Sequence, residues 1–459
     1  MRSTPPVHLA YDGGTLVLTG AAPELLAGLP GCRFDPRSEQ YRAEARHYRA
    51  LVEHLRRERI AYQDNARAYQ PVAWKLQSSR EPFPHQTEGL ETWWKEGGRG
   101  VVVLPTGTGK TWLAVLAIER TGRPALVVTP TIDLLNQWFD VLGQAFANPV
   151  GMLGGGSYDI QSLTVSTYDS AHLHLDRWGH RFGLLIFDEC HHLPGPTYQL
   201  AAMGSLAPFR LGLTATPERA DGGEHLLDGL IGPTVYRREI KELSGSYLAD
   251  YETVRLYVDL SPQEQERYLA AREVYRQFVA QRGISMGSPA GWQRFIIETS
   301  RSPEGRAAFL AFREQKRLAQ AAPAKLQKLE ELLSKHASDR VLIFTADNAT
   351  VYAIARRFLI PAITHQTRSK ERRRILERFH SGEYPVLVSG QVLNEGVDVP
   401  AANVGVVLSG TGSVREHVQR LGRLLRKHGE KQALLYEVVT RGTGEEYTSD
   451  RRRQHHAYR

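Results

Sequence analysis

A lysine and a threonine close a glycine-rich turn in the run VVVLPTGTGKT over residues 101–111. Thr106, Gly107, Thr108, Gly109, Lys110 and Thr111 have types and spacing suited to holding phosphate. The two glycines take loop dihedrals closed to other residues and turn backbone N–H groups toward phosphate oxygens. Lys110 then reaches the terminal phosphates, and the Thr111 hydroxyl holds Mg2+ at the start of a helix. A strict Gly-x-x-x-x-Gly-Lys-Ser/Thr pattern has glycine where this chain has Leu104, so the match is to a looser form. An ordinary strand–turn–helix connection uses glycine in the same way without binding anything, so partners for Lys110 must come from elsewhere in the chain.

Asp188 and Glu189 supply them, at the end of the apolar segment 184–187 and followed by Cys190, His191 and His192. Asp188 can complete a Mg2+ site begun by Thr111, and Glu189 can orient or deprotonate an attacking water. The bland alternative is a surface acidic pair. Zinc on Cys190, His191 and His192 is disfavoured, because adjacent ligands point poorly at one centre and no second pair is evident. Gln86, one short helix ahead of the glycine loop, has an amide able to pair with an adenine edge, with Phe83 or His85 beside it; glutamine is also common at a helix start. Thr214 and Thr216 lie in LGLTATP, which reads as a turn in isolation and as a nucleotide-sensing loop beside a phosphate site. Far downstream, QRLGRLLR carries Gln419, Arg423 and Arg426. Three-residue spacing sets such arginines along related sides of a helix, ordinarily a surface one, but one or two can reach a γ-phosphate as arginine fingers.

Several elements must position these groups. Apolar segments at 125–129, 162–165 and 184–187 alternate with helical patterns, the rhythm of an open, mostly parallel sheet covered by helices. The rhythm resumes at 340–345, 362–365 and 386–389, with helices expected over 350–358 and 370–381. Between the two sheets, residues 245–322 read as a bridge of charged helices at 262–280 and 305–319, split by the Gly- and Ser-containing segment 283–291, with a possible strand at 256–260. Its arginines suit nucleic acid or a plain solvated face equally. The first 75 residues form a further unit, with short alternating segments and an arginine-rich amphipathic helix over 44–59. A chain of 459 residues with 41% hydrophobic content suggests about three domains with proper cores. The net charge of +8 favours an anionic partner without choosing among DNA, RNA and an acidic protein. Two cysteines, Cys32 and Cys190, exclude a disulfide framework and fit a cytoplasmic setting. The start lacks a signal-peptide pattern and no segment is long and apolar enough to span a bilayer, so no membrane is expected.

The order of these motifs resembles the superfamily 2 helicases: the loop 105–111, Thr129-Pro130, Ser166-Thr167-Tyr168, the Asp188-Glu189-Cys190-His191 box, Thr214-Ala215-Thr216, the element 396–398 and 419–426. Within that superfamily, QRLGRLLR, VSTYDSA at 165–171 and FDPRSEQYRAEARHYRALVEHL at 34–55 resemble the XPB family, in its compact archaeal and bacterial form. The resemblance implies an α/β fold of two RecA-like parallel-sheet lobes, with an N-terminal α+β domain and a helical thumb-like insert. It implies residues 1–75 as a damage-recognition-like domain, 76–244 and 323–445 as the first and second lobes, 245–322 as the thumb and 446–459 as a basic tail.

It further implies ATP and Mg2+ as cofactors, Gln86 and Asp398 as nucleotide contacts, Lys110, Asp188, Glu189, Gln419, Arg423 and Arg426 as catalytic residues, and Thr214 and Thr216 as coupling residues. The family's Arg-Glu-Asp strand-opening element has its nearest match in Arg219-Ala220-Asp221, with Glu218 the alternative acid. The expected activity is 3′–5′ translocation or unwinding of damaged, forked or bubble DNA in nucleotide excision repair, with a separate nuclease as partner. A restriction or defence translocase, an RNA helicase and a nonenzymatic binding module remain rivals at this point.

Overall fold

The computed structural model describes residues 5–219, 221–243, 247, 251–286, 289–390, 402–410 and 433–453. The chain divides into two compact units, with the main division between residues 242 and 243.

Apolar runs with β-branched residues set the strands of the first unit. β1 (Val7–Asp12), β2 (Thr15–Thr19), β3 (Arg33–Asp35), β4 (Gln40–Glu44) and β5 (Tyr62–Asp64) form a sheet in the order β3-β4-β2-β1-β5, antiparallel except for β1 with β5. The helix expected over 44–59 runs Tyr48–Arg57, after a strand and a short 3-10 turn. It buries Tyr48, Leu51, Val52 and Leu55 on that sheet. Leu206, from much later in the chain, completes the same core, so this sheet shares its interior with the larger sheet of the unit.

That larger sheet comprises β6 (Arg99–Val103), β7 (Ala125–Thr129), β8 (Val150–Gly154), β9 (Ser157–Tyr158), β10 (Leu163–Thr167), β11 (Leu184–Asp188), β12 (Phe209–Thr214) and β13 (Thr234–Arg237). Their order is β13-β6-β12-β11-β7-β10-β8-β9, parallel except for β9. Five-residue strands such as ALVVT and LLIFD are buried throughout, as central strands covered on both faces require. The strand expected at 162–165 is β10, and that at 184–187 is β11.

The second unit holds β14 (Tyr251–Val258), β15 (Val341–Phe344), β16 (Ala362–Ile363), β17 (Val386–Ser389), β18 (Val404–Val407) and β19 (Ala433–Thr440), all parallel in the order β14-β19-β18-β15-β17-β16. The segment expected as a strand at 256–260 is the end of β14, which pairs with β19 along eight residues at the sheet edge. Helices Pro262–Gln281, Pro289–Ser300 and Pro303–Gln320 therefore lie between two strands of one sheet. Ser261 and Glu264 close the first of these with a reciprocal capping box. Phe278, Ile284, Phe295 and Ala308 make a small core of their own among them.

Candidate nucleotide site

Register brings the chemistry together. β6, β12 and β11 are adjacent and parallel, with Val103 opposite Thr214 and Leu213 opposite Asp188. The loops that leave their C-terminal ends, carrying Lys110, Thr214 and Glu189, therefore emerge side by side at the edge where open parallel sheets bind ligands. The Leu104 amide donates to the Thr214 carbonyl at 3.0 Å and extends that alignment one residue past β6.

Gly107 and Gly109 sit at φ +89° and +81°, and Gly109 caps the helix Lys110–Thr121. A side chain at Gly109 would be strained by the left-handed backbone, and its Cβ, 2.2 Å from Gln86 Nε2, would push that amide from its place on the loop. Lys110 Nζ donates to the carbonyls of Leu104 at 3.0 Å and Pro105 at 3.3 Å. Thr108 Oγ1 donates to Pro105 at 2.7 Å, and Thr111 follows on the first helical turn, half-buried. Thr106 Oγ1 is buried with no hydrogen-bond partner among the described residues. An orphaned hydroxyl in a glycine-rich loop beside an ammonium fits a phosphate oxygen, which supplies the missing acceptor.

Gln86 is fully buried and fastened to this loop. Its Nε2 donates to the carbonyls of Thr108 and Gly109, both at 3.0 Å, and its Oε1 accepts from the Phe83 amide at 2.9 Å. The amide expected at an adenine edge thus holds the phosphate loop directly. His85 Nε2 lies 2.8 Å from the same Thr108 carbonyl. Sequence alone assigns no role to Arg80, whose guanidinium lies over both Phe83 at 5.7 Å and Trp112 at 5.6 Å, beside Gln86 and Gly109. An arginine three residues ahead of an aromatic is the only signal it carries. Gln86→Ala is expected to weaken ATP and GTP binding together, by about 1–2 kcal/mol for the lost loop hydrogen bonds. Titration with fluorescent analogues of both nucleotides checks this, and a loss confined to ATP would assign adenine reading to Gln86.

Asp188 is 7% exposed. Its Oδ2 accepts from Trp138 Nε1 at 2.8 Å and its Oδ1 from the Glu189 amide at 3.0 Å, while Tyr168 donates to its carbonyl at 3.1 Å. Burial pushes the Asp188 pKa up, against the Trp138 hydrogen bond and the nearby Lys110 charge. A divalent cation would complete the neutralisation that Lys110 begins. Glu189 occupies the left-handed region at φ +46°, a conformation that costs a non-glycine residue of order 1–3 kcal/mol and that aims its side chain off the strand line. Cys190 is buried in the sheet core and its thiol pKa is raised by that burial. His191 instead points at Thr214 Oγ1, 3.1 Å from its Nδ1, and at Glu189 Oε2, 3.4 Å away, so the two side chains serve different surroundings.

Thr214 Oγ1 donates in turn to the Thr216 carbonyl at 3.1 Å. Arg219 forms a bidentate pair with Asp221 at 2.8 and 2.6 Å. Glu218 pairs with Arg237 at 2.7 Å. Asp398, Gln419, Arg423 and Arg426 lie outside the described residues.

Three family models match the chain. Residues 9–66 match the Xeroderma pigmentosum group B helicase damage recognition domain, residues 79–219 the type III restriction enzyme res subunit, and residues 324–428 the helicase conserved C-terminal domain. Over 448 residues the chain is 38% identical to the DNA 3'-5' translocase XPB2 of Sulfurisphaera tokodaii, covering 98% of this chain and 100% of that one. It is 31% identical over 395 residues to the DNA 3'-5' helicase XPB of Kineococcus radiotolerans, covering 82% of this chain and 64% of the relative. Among solved structures, the Hef helicase domain of Pyrococcus furiosus superposes with a TM-score of 0.53 at 20% identity, over 80% of this chain and 98% of that one, a likeness of fold.

Proposed function

Because the chain belongs to the XPB family of superfamily 2 DNA helicases, we propose that the loops after β6, β11 and β12 form the nucleotide half of its motor. The protein is an ATP-dependent DNA helicase, and its relatives support 3′–5′ polarity and a role in repair. One observation supports the site assignment: strand register aligns Val103, Asp188 and Thr214 at one sheet edge, from which the loops that carry Lys110 and Glu189 leave.

In this reading Gly107, Thr108 and Gly109 present backbone amides to the phosphates, Thr106 offers its unpaired hydroxyl, and Lys110 exchanges its loop carbonyls for phosphate oxygens. Thr111 and Asp188 would hold Mg2+, which would supply neutralisation of phosphate charge. Glu189 orients the attacking water and takes its proton. Arg80 and Phe83 offer a cationic and aromatic surface for the base. Arg423 and Arg426 serve as arginine fingers and Gln419 as a further catalytic residue, with Asp398 as a nucleotide contact, on their spacing and the family's pattern. Residues 1–75 act as the damage-recognition domain, 76–244 as the first lobe, 245–322 as the thumb, 323–445 as the second lobe and 446–459 as a basic tail. Forked or bubble DNA is the substrate, a separate nuclease the partner and the cytoplasm the setting. No helix of the described residues is long and apolar enough to cross a membrane.

ATPase and strand-displacement measurements on forked, bubble and fully paired DNA with opposite tails test this reading. DNA-stimulated turnover with displacement from a 3′ tail is expected. Matched RNA that stimulates turnover more strongly than DNA overturns it. The match of residues 79–219 to a restriction subunit keeps a defence translocase as the second reading, and co-purification with a methylase would favour that one.

A further inference from the structure

The amide suited to telling adenine from guanine is out of reach of a base. Gln86 is 0% exposed. Both N–H groups of its amide donate to the carbonyls of Thr108 and Gly109, at 3.0 Å each, and its oxygen accepts from the Phe83 amide at 2.9 Å. An adenine edge asks for a donor toward N7 and an acceptor for the N6 amino group. Gln86 has no donor left for it, and turning the amide outward breaks two bonds to the loop on which Lys110 stands. His85 is 3% exposed and faces the same Thr108 carbonyl at 2.8 Å.

Arg80 and Phe83 form the accessible surface beside Gln86. Phe83 is 39% exposed, and the Arg80 guanidinium lies over its ring at 5.7 Å and over the Trp112 ring at 5.6 Å. Arg80 Nη2 comes within 3.7 Å of the place that a Cβ on Gly109 would take, so this flat pair borders the phosphate loop. An aromatic ring or a guanidinium plane stacks on either purine, because every base has a π-face. The polar side-chain atoms of Arg80 and Trp112 are all donors: five N–H groups on the arginine, and Trp112 Nε1, which is buried with no hydrogen-bond partner among the described residues. Both purines accept at N7, and guanine accepts at O6 as well. That set of donors does not penalise guanine.

We propose that this base subsite takes the purine by its face and leaves its edge unread, so that GTP fuels the motor alongside ATP. The inference rests on the ATP-dependent motor assigned above and widens its substrate class to purine nucleoside triphosphates. The chemistry is the same for either base. A water oxygen bonds to the γ-phosphorus as the bond to the β–γ bridging oxygen breaks, one water proton passes to Glu189 and on to solvent, and GDP and inorganic phosphate leave.

Two measurements on the wild-type chain test this, and neither depends on a variant that folds. DNA-stimulated turnover with GTP is expected to have a kcat/KM within about tenfold of that with ATP, since a correctly read base edge is worth about tenfold or more. Calorimetric affinities of nonhydrolysable ATP and GTP analogues, taken without DNA, are expected to agree within the same factor. A larger preference for ATP in either measurement overturns the proposal. Arg80→Ala is expected to weaken both analogues equally, by about threefold to thirtyfold for the lost cation–π stack. Unchanged affinity in that variant, or a loss confined to one analogue, overturns the proposal too. Wild type without DNA-stimulated ATP turnover overturns the functional reading beneath it, whereas ATP turnover without GTP turnover overturns this inference alone.

Discussion

Glu189→Gln is expected to lower the ATP turnover rate by about 10²–10⁴, the usual contribution of a positioned general base, and to leave nucleotide binding within a fewfold of wild type. The change keeps volume and hydrogen bonding but removes basicity. The Glu189 carboxylate is 12% exposed, lies 3.4 Å from His191 Nδ1 and stands on a left-handed residue that turns it out of the β11 line. Asp188 has a different environment one residue earlier, with both oxygens hydrogen-bonded and its pKa raised by burial. In the proposed site Asp188 would hold the cation and Glu189 would take the proton from water. Single-turnover hydrolysis together with equilibrium binding of a nonhydrolysable analogue checks the claim. Equal turnover in the two proteins would remove Glu189 from the chemistry, and loss of binding would make it a ligand contact.

Much of this arrangement is legible locally. A glycine-rich turn after an apolar run announces the phosphate loop because the backbone conformations it needs are written in residue type, and Gly109 at φ +81° meets that need. Asp188 and Glu189 are legible for a similar reason, since an acid pair ending the apolar run LLIFD marks the C-terminal end of a parallel strand. What decides the geometry is non-local. That β12 lies between β6 and β11 is a fact of pairing order, which no segment carries by itself. Trp138 and Tyr168 hold Asp188 from distant helices, contacts that no local pattern announces. Leu206, between a short helix and β12, completes the core of the N-terminal sheet from far along the chain. The segment 283–291 reads as a break between helices but contains the start of the helix Pro289–Ser300, whose proline is compatible with a first turn as well as with a loop. β14 is legible only as a short segment because its partner, β19, lies at the far end of the chain.

Lys325→Met is expected to destabilise the second unit by about 3–5 kcal/mol, the typical cost of breaking a buried ion pair from one side. Lys325 stands in the first turn of the helix Pro323–Lys335 and is 1% exposed, against 5% for its partner Glu445. Its Nζ lies 2.5 Å from Glu445 Oε2 and 2.5 Å from the Leu408 carbonyl, one residue past the end of β18. Glu445 Oε2 also accepts from the Thr440 amide at 3.0 Å, at the end of β19. One ammonium thus ties together the ends of two neighbouring strands and the helix Gly444–Arg453. Methionine fills similar volume, so the loss comes from a carboxylate left buried with one amide donor and from a carbonyl deprived of its cation, and not from a cavity. In a domain of this size that cost lowers the thermal midpoint by on the order of 10 °C. The double variant Lys325→Met with Glu445→Gln should recover much of the loss, because it removes the uncompensated charge. A double variant no more stable than Lys325→Met would show that packing, and not charge, is what Lys325 contributes. The chain runs on from Ser409 and Gly410 into the segment with Gln419, Arg423 and Arg426, and Ser409 Oγ accepts from the Ala346 amide at 2.9 Å. The clamp therefore fixes the point from which the proposed arginine fingers depart, so Lys325→Met should also lower turnover below its melting range while the double variant restores part of it.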